Sequence, residues 1–379
     1  MTRSRREFLQ LSAGVATAAA MSWPVGARSF ESLPQESDRN FIRLNSNENA
    51  YGPSAKVADA IRSSIGGVNR YPQMEYHALA EHIAGVHHLN ASQVLPGCGS
   101  TEILRAAAFA FLGNGNVLVQ ASPTYQAIED YARTAGSDVL AVPLTTRFAH
   151  DLDGMLSRLN GSTTLVYICN PNNPTATLTP RGDLESFIGK LPASTFVVID
   201  EAYHHYAGRS GMYASFIDRP VDNERVIVTR TFSAVYGLAG LRLGYAVGSP
   251  RVMQQMGKFV AENSVNTLAT GAAGAALDDD EGVKAAVQRN ADDRQEFFNQ
   301  AMARALKPID SQANFVMMNT DHPAAELIEY FHKNNILIGR RFPAMDTFIR
   351  VSLGRPEEML AFWSAWDKLP FAKNMKHHH

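Results

Sequence analysis

Leu165-Val166-Tyr167-Ile168-Cys169-Asn170-Pro171-Asn172-Asn173-Pro174-Thr175 is a short, continuous apolar run that breaks into a rigid polar loop. An apolar run without polar alternation is what a strand shows when helices cover both of its faces. The pattern recurs upstream at Val94-Leu95, Val117-Leu118-Val119 and Val139-Leu140-Ala141-Val142. It recurs downstream at Phe196-Val197-Val198-Ile199, Val226-Ile227-Val228 and Tyr245-Ala246-Val247. Stretches such as 101–112 and 125–135 between these runs are long enough for crossover helices. The order predicts an α/β domain with a mostly parallel sheet across about 94–247. A helical segment around 251–275 should then lead into a smaller α/β domain, about 282–369, with strands near 314–318 and 348–352.

The bulk numbers agree with two domains. A chain of 379 residues can bury two sizeable cores, and 45% hydrophobic with 19% charged residues fits a globular protein rather than a disordered one. A formal net charge of -2 without a basic stripe gives no ground for a nucleic-acid partner. Two cysteines, Cys98 and Cys169, cannot define a disulfide framework and read as small buried thiols. The adjacent histidines of Tyr203-His204-His205-Tyr206 face different ways on any regular element, so they read as surface or site-lining residues and not as metal ligands.

The ends carry other information. Ser4-Arg5-Arg6-Glu7-Phe8-Leu9, an Ala-rich apolar run from Leu11 to Met21 and the small-residue exit Val25-Gly26-Ala27 make a secretory signal over 1–27. It is too short to span a bilayer, and its paired arginines resemble the twin-arginine type, which implies a periplasmic protein exported folded. His377, His378 and His379 after Lys376 read as a purification-tag remnant over 374–379. The remainder divides into an N-terminal arm with part of the small domain (28–75), a large domain (76–275) and a C-terminal small domain (276–370).

Open parallel sheets bind ligands beyond the carboxyl ends of their strands, so the loops after each run matter most. Gly97-Cys98-Gly99-Ser100-Thr101-Glu102 opens a helix, where free N–H groups and the helix dipole make an anion site. Ser122-Pro123-Thr124-Tyr125 brings an aromatic ring to the same edge. Asp200 ends its strand, and a carboxylate buried there needs a cationic partner. Thr231-Phe232-Ser233, followed by Arg242, offers two hydroxyls and a guanidinium suited to a phosphate dianion.

This ordered set resembles the class I/II, fold-type I aminotransferases that use pyridoxal 5'-phosphate (PLP). The residues that carry the likeness are Asn170-Pro171-Asn172-Asn173-Pro174-Thr175, Asp200-Glu201-Ala202-Tyr203 and Thr231-Phe232-Ser233 with Gly240-Leu241-Arg242-Leu243-Gly244-Tyr245. Within that class the chain is similar to the histidinol-phosphate branch, through Leu44-Asn45-Ser46-Asn47-Glu48-Asn49-Ala50-Tyr51-Gly52-Pro53, Arg70-Tyr71-Pro72, Ser311-Gln312-Ala313-Asn314-Phe315 and Arg350-Val351-Ser352-Leu353-Gly354. The resemblance implies a seven-stranded-type sheet in the large domain and PLP as cofactor. It implies that Asp200 pairs with the pyridinium nitrogen, Tyr125 stacks on the ring, and Asn173 and Tyr203 hold its phenolic oxygen. Gly99, Ser100, Thr101, Ser233 and Arg242 would form the phosphate site, with Thr231 nearby. Tyr71 would reach the cofactor of a neighbouring subunit, implying a homodimer with shared sites. Arg350 would clamp the substrate α-carboxylate, Tyr51 would form a pocket wall, and Arg340 with Arg341 could add a second anion site.

One position departs from the family. The residue after Ser233 should be the Schiff-base lysine, and it is Ala234. The next lysine, Lys258, is too far along the chain to substitute. Three readings stay open: an introduced lysine-to-alanine change that traps bound substrate, a natural PLP-binding protein without catalysis, and an enzyme using His204 or Tyr203 as base. The parent reaction implied is amino-group transfer from an L-amino acid to a 2-oxo acid, with a racemase, decarboxylase or lyase on the same scaffold as the alternative.

Overall fold

Seven apolar runs come together as one sheet in the computed structural model, which describes residues 41–371. The strands are β2 (Val94–Gly97), β3 (Val117–Ser122), β4 (Asp138–Pro143), β5 (Thr163–Cys169), β6 (Phe196–Asp200), β7 (Val226–Thr231) and β8 (Gly244–Val247), after a short β1 (Ile42–Leu44). Their order across the sheet is β2-β8-β7-β6-β5-β3-β4. Only β8 runs against its neighbours β7 and β2. The carboxyl ends of β2, β3, β5, β6 and β7 therefore open on one edge, the edge at which such sheets take ligands.

Helices cover both faces, as the continuous runs predict. Alternate residues of β5 and β6 divide between two cores: Val166, Ile168, Val197 and Ile199 on one side, Leu165, Tyr167 and Val198 on the other. The second face packs on the helix Gly99–Phe111, which buries Ile103, Leu104, Ala107 and Phe111. Each fully buried Leu, Ile or Phe there contributes roughly 1.5–3 kcal/mol relative to exposure. Val57, on the helix Ala55–Ser64, shares the first core with Ala269 and Ala273 of the helix Thr267–Leu277.

The C-terminal part has its own core around Phe297, Phe331, Phe362 and Trp366. Its strands are β9 (Lys307–Pro308), β10 (Phe315–Asn319), β11 (Ile336–Ile338) and β12 (Phe348–Ser352), arranged as an antiparallel β12-β10-β9 sheet and a parallel β1-β11 pair. The pairing of β1 with β11 brings the first described residues to the last core, where Leu44 is fully buried.

The segment 251–275 is not one helical connection. Two helices, Pro250–Gly257 and Thr267–Leu277, flank a non-helical stretch, and Asn266 restarts the helix by accepting the Ala269 N–H. That stretch is held instead by Glu102, which accepts the Ser264 hydroxyl at 2.6 Å and the Ala261 N–H at 3.3 Å. Cys169 is buried as expected, whereas Cys98 is half-buried. Among the described residues no helix is long and apolar enough to cross a membrane. The signal over 1–27 and the tag remnant over 374–379 lie outside the described residues.

Candidate active site

Beyond the open strand ends lies a cavity of about 490 Å³. Asp200, the last residue of β6, forms part of its floor and is almost wholly buried. The Tyr167 hydroxyl donates to its Oδ2 at 2.8 Å and the Thr229 hydroxyl to its Oδ1 at 3.0 Å. Burial nevertheless pushes the carboxyl up to about 6, against these donors and the Ala202 N–H. Among the described residues no basic side chain forms an ion pair with it. A buried carboxylate exposed to the cavity and lacking a cation fits a protonated ring nitrogen.

The anion cradle lies beside it. Ser100 and Thr101 line the cavity in the first turn of Gly99–Phe111, where helix N–H groups have no intrahelical partner. Gly99 stands behind them at φ +75°, and a Cβ there would collide with the Arg242 guanidinium. Arg242, itself left-handed at φ 57°, is steadied by its own Nη1 donating to the Ala239 carbonyl at 3.0 Å. Thr231 donates to the Ser233 hydroxyl at 2.9 Å and accepts the Ser233 N–H at 3.1 Å. Thr101 bonds to the Tyr125 phenol, tying the cradle to the aromatic wall. Two hydroxyl pairs, a helix start and a guanidinium fit a phosphate.

The opposite wall comes from distant segments. Arg350 Nη1 donates to Asn173 Oδ1 at 2.7 Å and Nη2 to the Asn45 carbonyl at 2.7 Å. Its guanidinium lies between the rings of Phe315 and Phe342, 5.6 Å and 5.3 Å from their centroids. Burial lowers it to about 10, so it stays charged at neutral pH. No carboxylate among the described residues forms a salt bridge with it, which suits a substrate carboxylate. Tyr203, buried, accepts from Asn47 Nδ2 at 2.9 Å and from Asn173 Nδ2 at 3.4 Å. Burial raises its phenol well above the usual range, so it remains protonated.

Most of the expected residues thus meet in one place: Ser100, Thr101, Tyr125, Asn173, Asp200, Tyr203, Thr231, Ser233, Ala234, Arg242, Arg340 and Arg350 line one cavity. Tyr51 does not. Its hydroxyl turns away to Asp293 at 3.1 Å, beneath the Arg289 guanidinium 4.3 Å from its ring. Tyr71 stands 82% exposed and outside the cavity. Arg340 faces in over Phe342, whereas Arg341 pairs with Asp346. His204 and His205 are half-buried and do not line the cavity. They bond to the hydroxyls of Tyr213 (3.0 Å) and Tyr236 (3.2 Å), and burial holds both rings neutral. No described lysine lines the cavity, and Lys258 is exposed just after its helix.

Residues not anticipated as lining include Ser46, Asn47, Glu48, Gln126 and Phe342. The first three arrive because Asn47 N–H donates to Ser352 Oγ at 2.8 Å and Asn314 Nδ2 donates to the Asn47 carbonyl at 2.9 Å. The polar run Asn45-Ser46-Asn47-Glu48-Asn49 was the available signal.

A cavity at the open strand ends of a seven-stranded sheet, with a buried acid, an anion cradle and a buried guanidinium, defines a ligand-binding α/β protein. The chain belongs to the family described as aminotransferase class I and II, which matches residues 39–363. It is 35% identical over 326 residues to histidinol-phosphate aminotransferase 2 of Carboxydothermus hydrogenoformans, covering 85% of this chain and 89% of that one. It is 34% identical over 281 residues to an aromatic amino acid aminotransferase of Cutibacterium acnes, covering 74% and 80%. The structure of histidinol-phosphate aminotransferase from Sinorhizobium meliloti in complex with pyridoxal-5'-phosphate aligns with a TM-score of 0.84 at 26% identity, covering 94% and 99%.

Proposed function

We propose that the chain is built for PLP-dependent transfer of an amino group between an L-amino acid and a 2-oxo acid, with the lysine position occupied by Ala234. The observation that carries this is the meeting of Asp200, the Ser100-Thr101-Ser233-Arg242 cradle and Arg350 around one cavity. When bound, PLP supplies an aldehyde that takes the amino group and a ring that accepts the electron pair released at the substrate's Cα. Asp200 would hold positive charge on the ring nitrogen, and Tyr125 would cover the ring. Asn173 and Tyr203 would bond its phenolic oxygen. The cradle would hold the phosphate, with Thr231 alongside. Arg350 would orient the α-carboxylate through two parallel hydrogen bonds. Arg340 places a second cation where an acidic or phosphorylated side chain would lie, which accords with relatives named for histidinol phosphate.

Ala234 ends the parallel. A methyl group cannot carry the proton at the substrate's Cα, and loss of such a base costs ~10²–10⁴-fold in rate. Substrate and cofactor would bind, be oriented and stay. We read Ala234 as an introduced replacement of lysine, with a natural non-catalytic PLP-binding protein as the second reading. Ala234→Lys decides: a revertant that forms oxo acid from an amino acid supports the first, and an inert revertant that binds PLP supports the second. Oxo-acid formation with no D-enantiomer appearing in the remaining amino acid separates transamination from racemisation.

The exposed run of Ile65, Val68, Tyr71 and Met74 supports a homodimer that buries it, checked by sedimentation. Periplasmic export rests on residues 1–27 alone. Retention in the cytoplasm of an unaltered chain on cell fractionation would end that reading.

A further inference from the structure

Strand β6 delivers Asp200 to a buried position, and the strands on both sides each send a hydroxyl to the same carboxylate. Thr229 on β7 lies directly opposite Asp200 in the ladder, as does Cys169 on β5. Tyr167 stands two residues before Cys169 on the same face, a diagonal that only a long side chain spans. Its hydroxyl reaches Oδ2 at 2.8 Å, while that of Thr229 reaches Oδ1 at 3.0 Å. Tyr167 and Thr229 are both fully buried, so water cannot replace either donor. Neither lines the cavity, so each acts through Asp200. The other titratable groups acting on or sensing the carboxylate are Glu201, Tyr125 and Cys169, and none of them is a cation.

We propose that Tyr167 and Thr229 are positioning residues that keep Asp200 ionised and fixed, so that the proton between it and the cofactor's ring nitrogen stays on nitrogen. This inference rests on the PLP reading above. Hydroxyl donors stabilise the charged form of a carboxylate, and one deprived of them becomes the stronger base. In this buried site only the Ala202 N–H remains to offset their loss. Without these donors the proton passes to the Asp200 oxygen and the ring nitrogen becomes neutral.

The test uses the chain with Ala234 in place, loaded with PLP carrying ¹⁵N in its ring. The ring-nitrogen chemical shift is read at neutral pH and PLP affinity by fluorescence quenching. The parent should show the pyridinium shift. Tyr167→Phe should move it toward the neutral pyridine value and weaken PLP binding roughly tenfold. Thr229→Val should move it the same way by less. Tyr330→Phe removes a hydroxyl bond to the Ala365 carbonyl, 2.8 Å long and outside the cavity, and should change neither readout. A Tyr167→Phe protein that melts earlier yet keeps the parent shift and affinity overturns the proposal. Should Tyr167→Phe not fold, an unchanged shift in Thr229→Val overturns it. A parent that binds no PLP removes the cofactor reading and this inference together, whereas a parent with a protonated nitrogen that persists in both site variants removes the inference alone.

Discussion

The two walls of the cavity are assembled in different ways. The wall proposed for the cofactor is made by the ends of β2, β3, β5, β6 and β7 and the loops that follow them, so each side chain is placed by the strand before it. The wall proposed for the substrate is made by Asn45 to Glu48 and by Arg340 to Arg350, which meet across 305 residues through the Arg350 bond to the Asn45 carbonyl. A wall set by one sheet is rigid by construction. A wall set by long-range contacts can vary with every segment that contributes.

Four experiments bear on this difference. The largest effect should come from Ala234→Lys, which puts a base where the methyl group stands and, on the proposed function, should raise oxo-acid formation by ~10²–10⁴-fold. In that revertant, Arg350→Lys should raise the KM for the amino acid by about 100-fold, since a lysine cannot reproduce the planar fork. Its PLP affinity should stay as it was. If both affinities fall together, the walls are not separable. Gly99→Ala should do the reverse, because its Cβ strikes Arg242 in a backbone conformation that alanine adopts with strain. PLP affinity should fall roughly tenfold, while pyridoxal without phosphate binds as before. The smallest effect should be on the scaffold away from both walls. Burial lowers His87 and His150 to about 4 and His205 to about 3. Since the unfolded chain binds protons near 6.5, it gains them first, and stability is lost as pH falls from about 6.5 toward 4. Asp200, raised to about 6, acts with the opposite sign between about 6 and 3.8. A falling Tm across that window shows that the histidines prevail, and a flat profile shows that they do not.

The sheet was legible because buried parallel strands are written as uninterrupted apolar runs, and Asp200 stood out as a carboxylate at the end of one. The cradle was legible for the same reason, through Gly99-Ser100-Thr101 at a helix start. That Tyr51 stands outside this cavity was not legible, because its partners, Asp293 and Arg289, lie on the helix Asp280–Met302, and nothing local records which way a ring turns. Asn47 and Glu48 went unassigned for a similar reason: their place is fixed by Ser352 and Asn314, far along the chain. Tyr167 looked like one more apolar strand residue, and only the register of β5 against β6 reveals its hydroxyl at Asp200.

The contact between Gly237 and Gly52 has a bearing on biosynthesis. A Cβ at Gly237 would strike the Gly52 backbone, so the turn just after residue 234 rests directly on the chain's early segment, and Asn49 fastens it there through the Val235 carbonyl. That early segment is in turn anchored to Ser352. On the ribosome, Asn47 must therefore wait for Ser352, 305 residues later, before its N–H can be held.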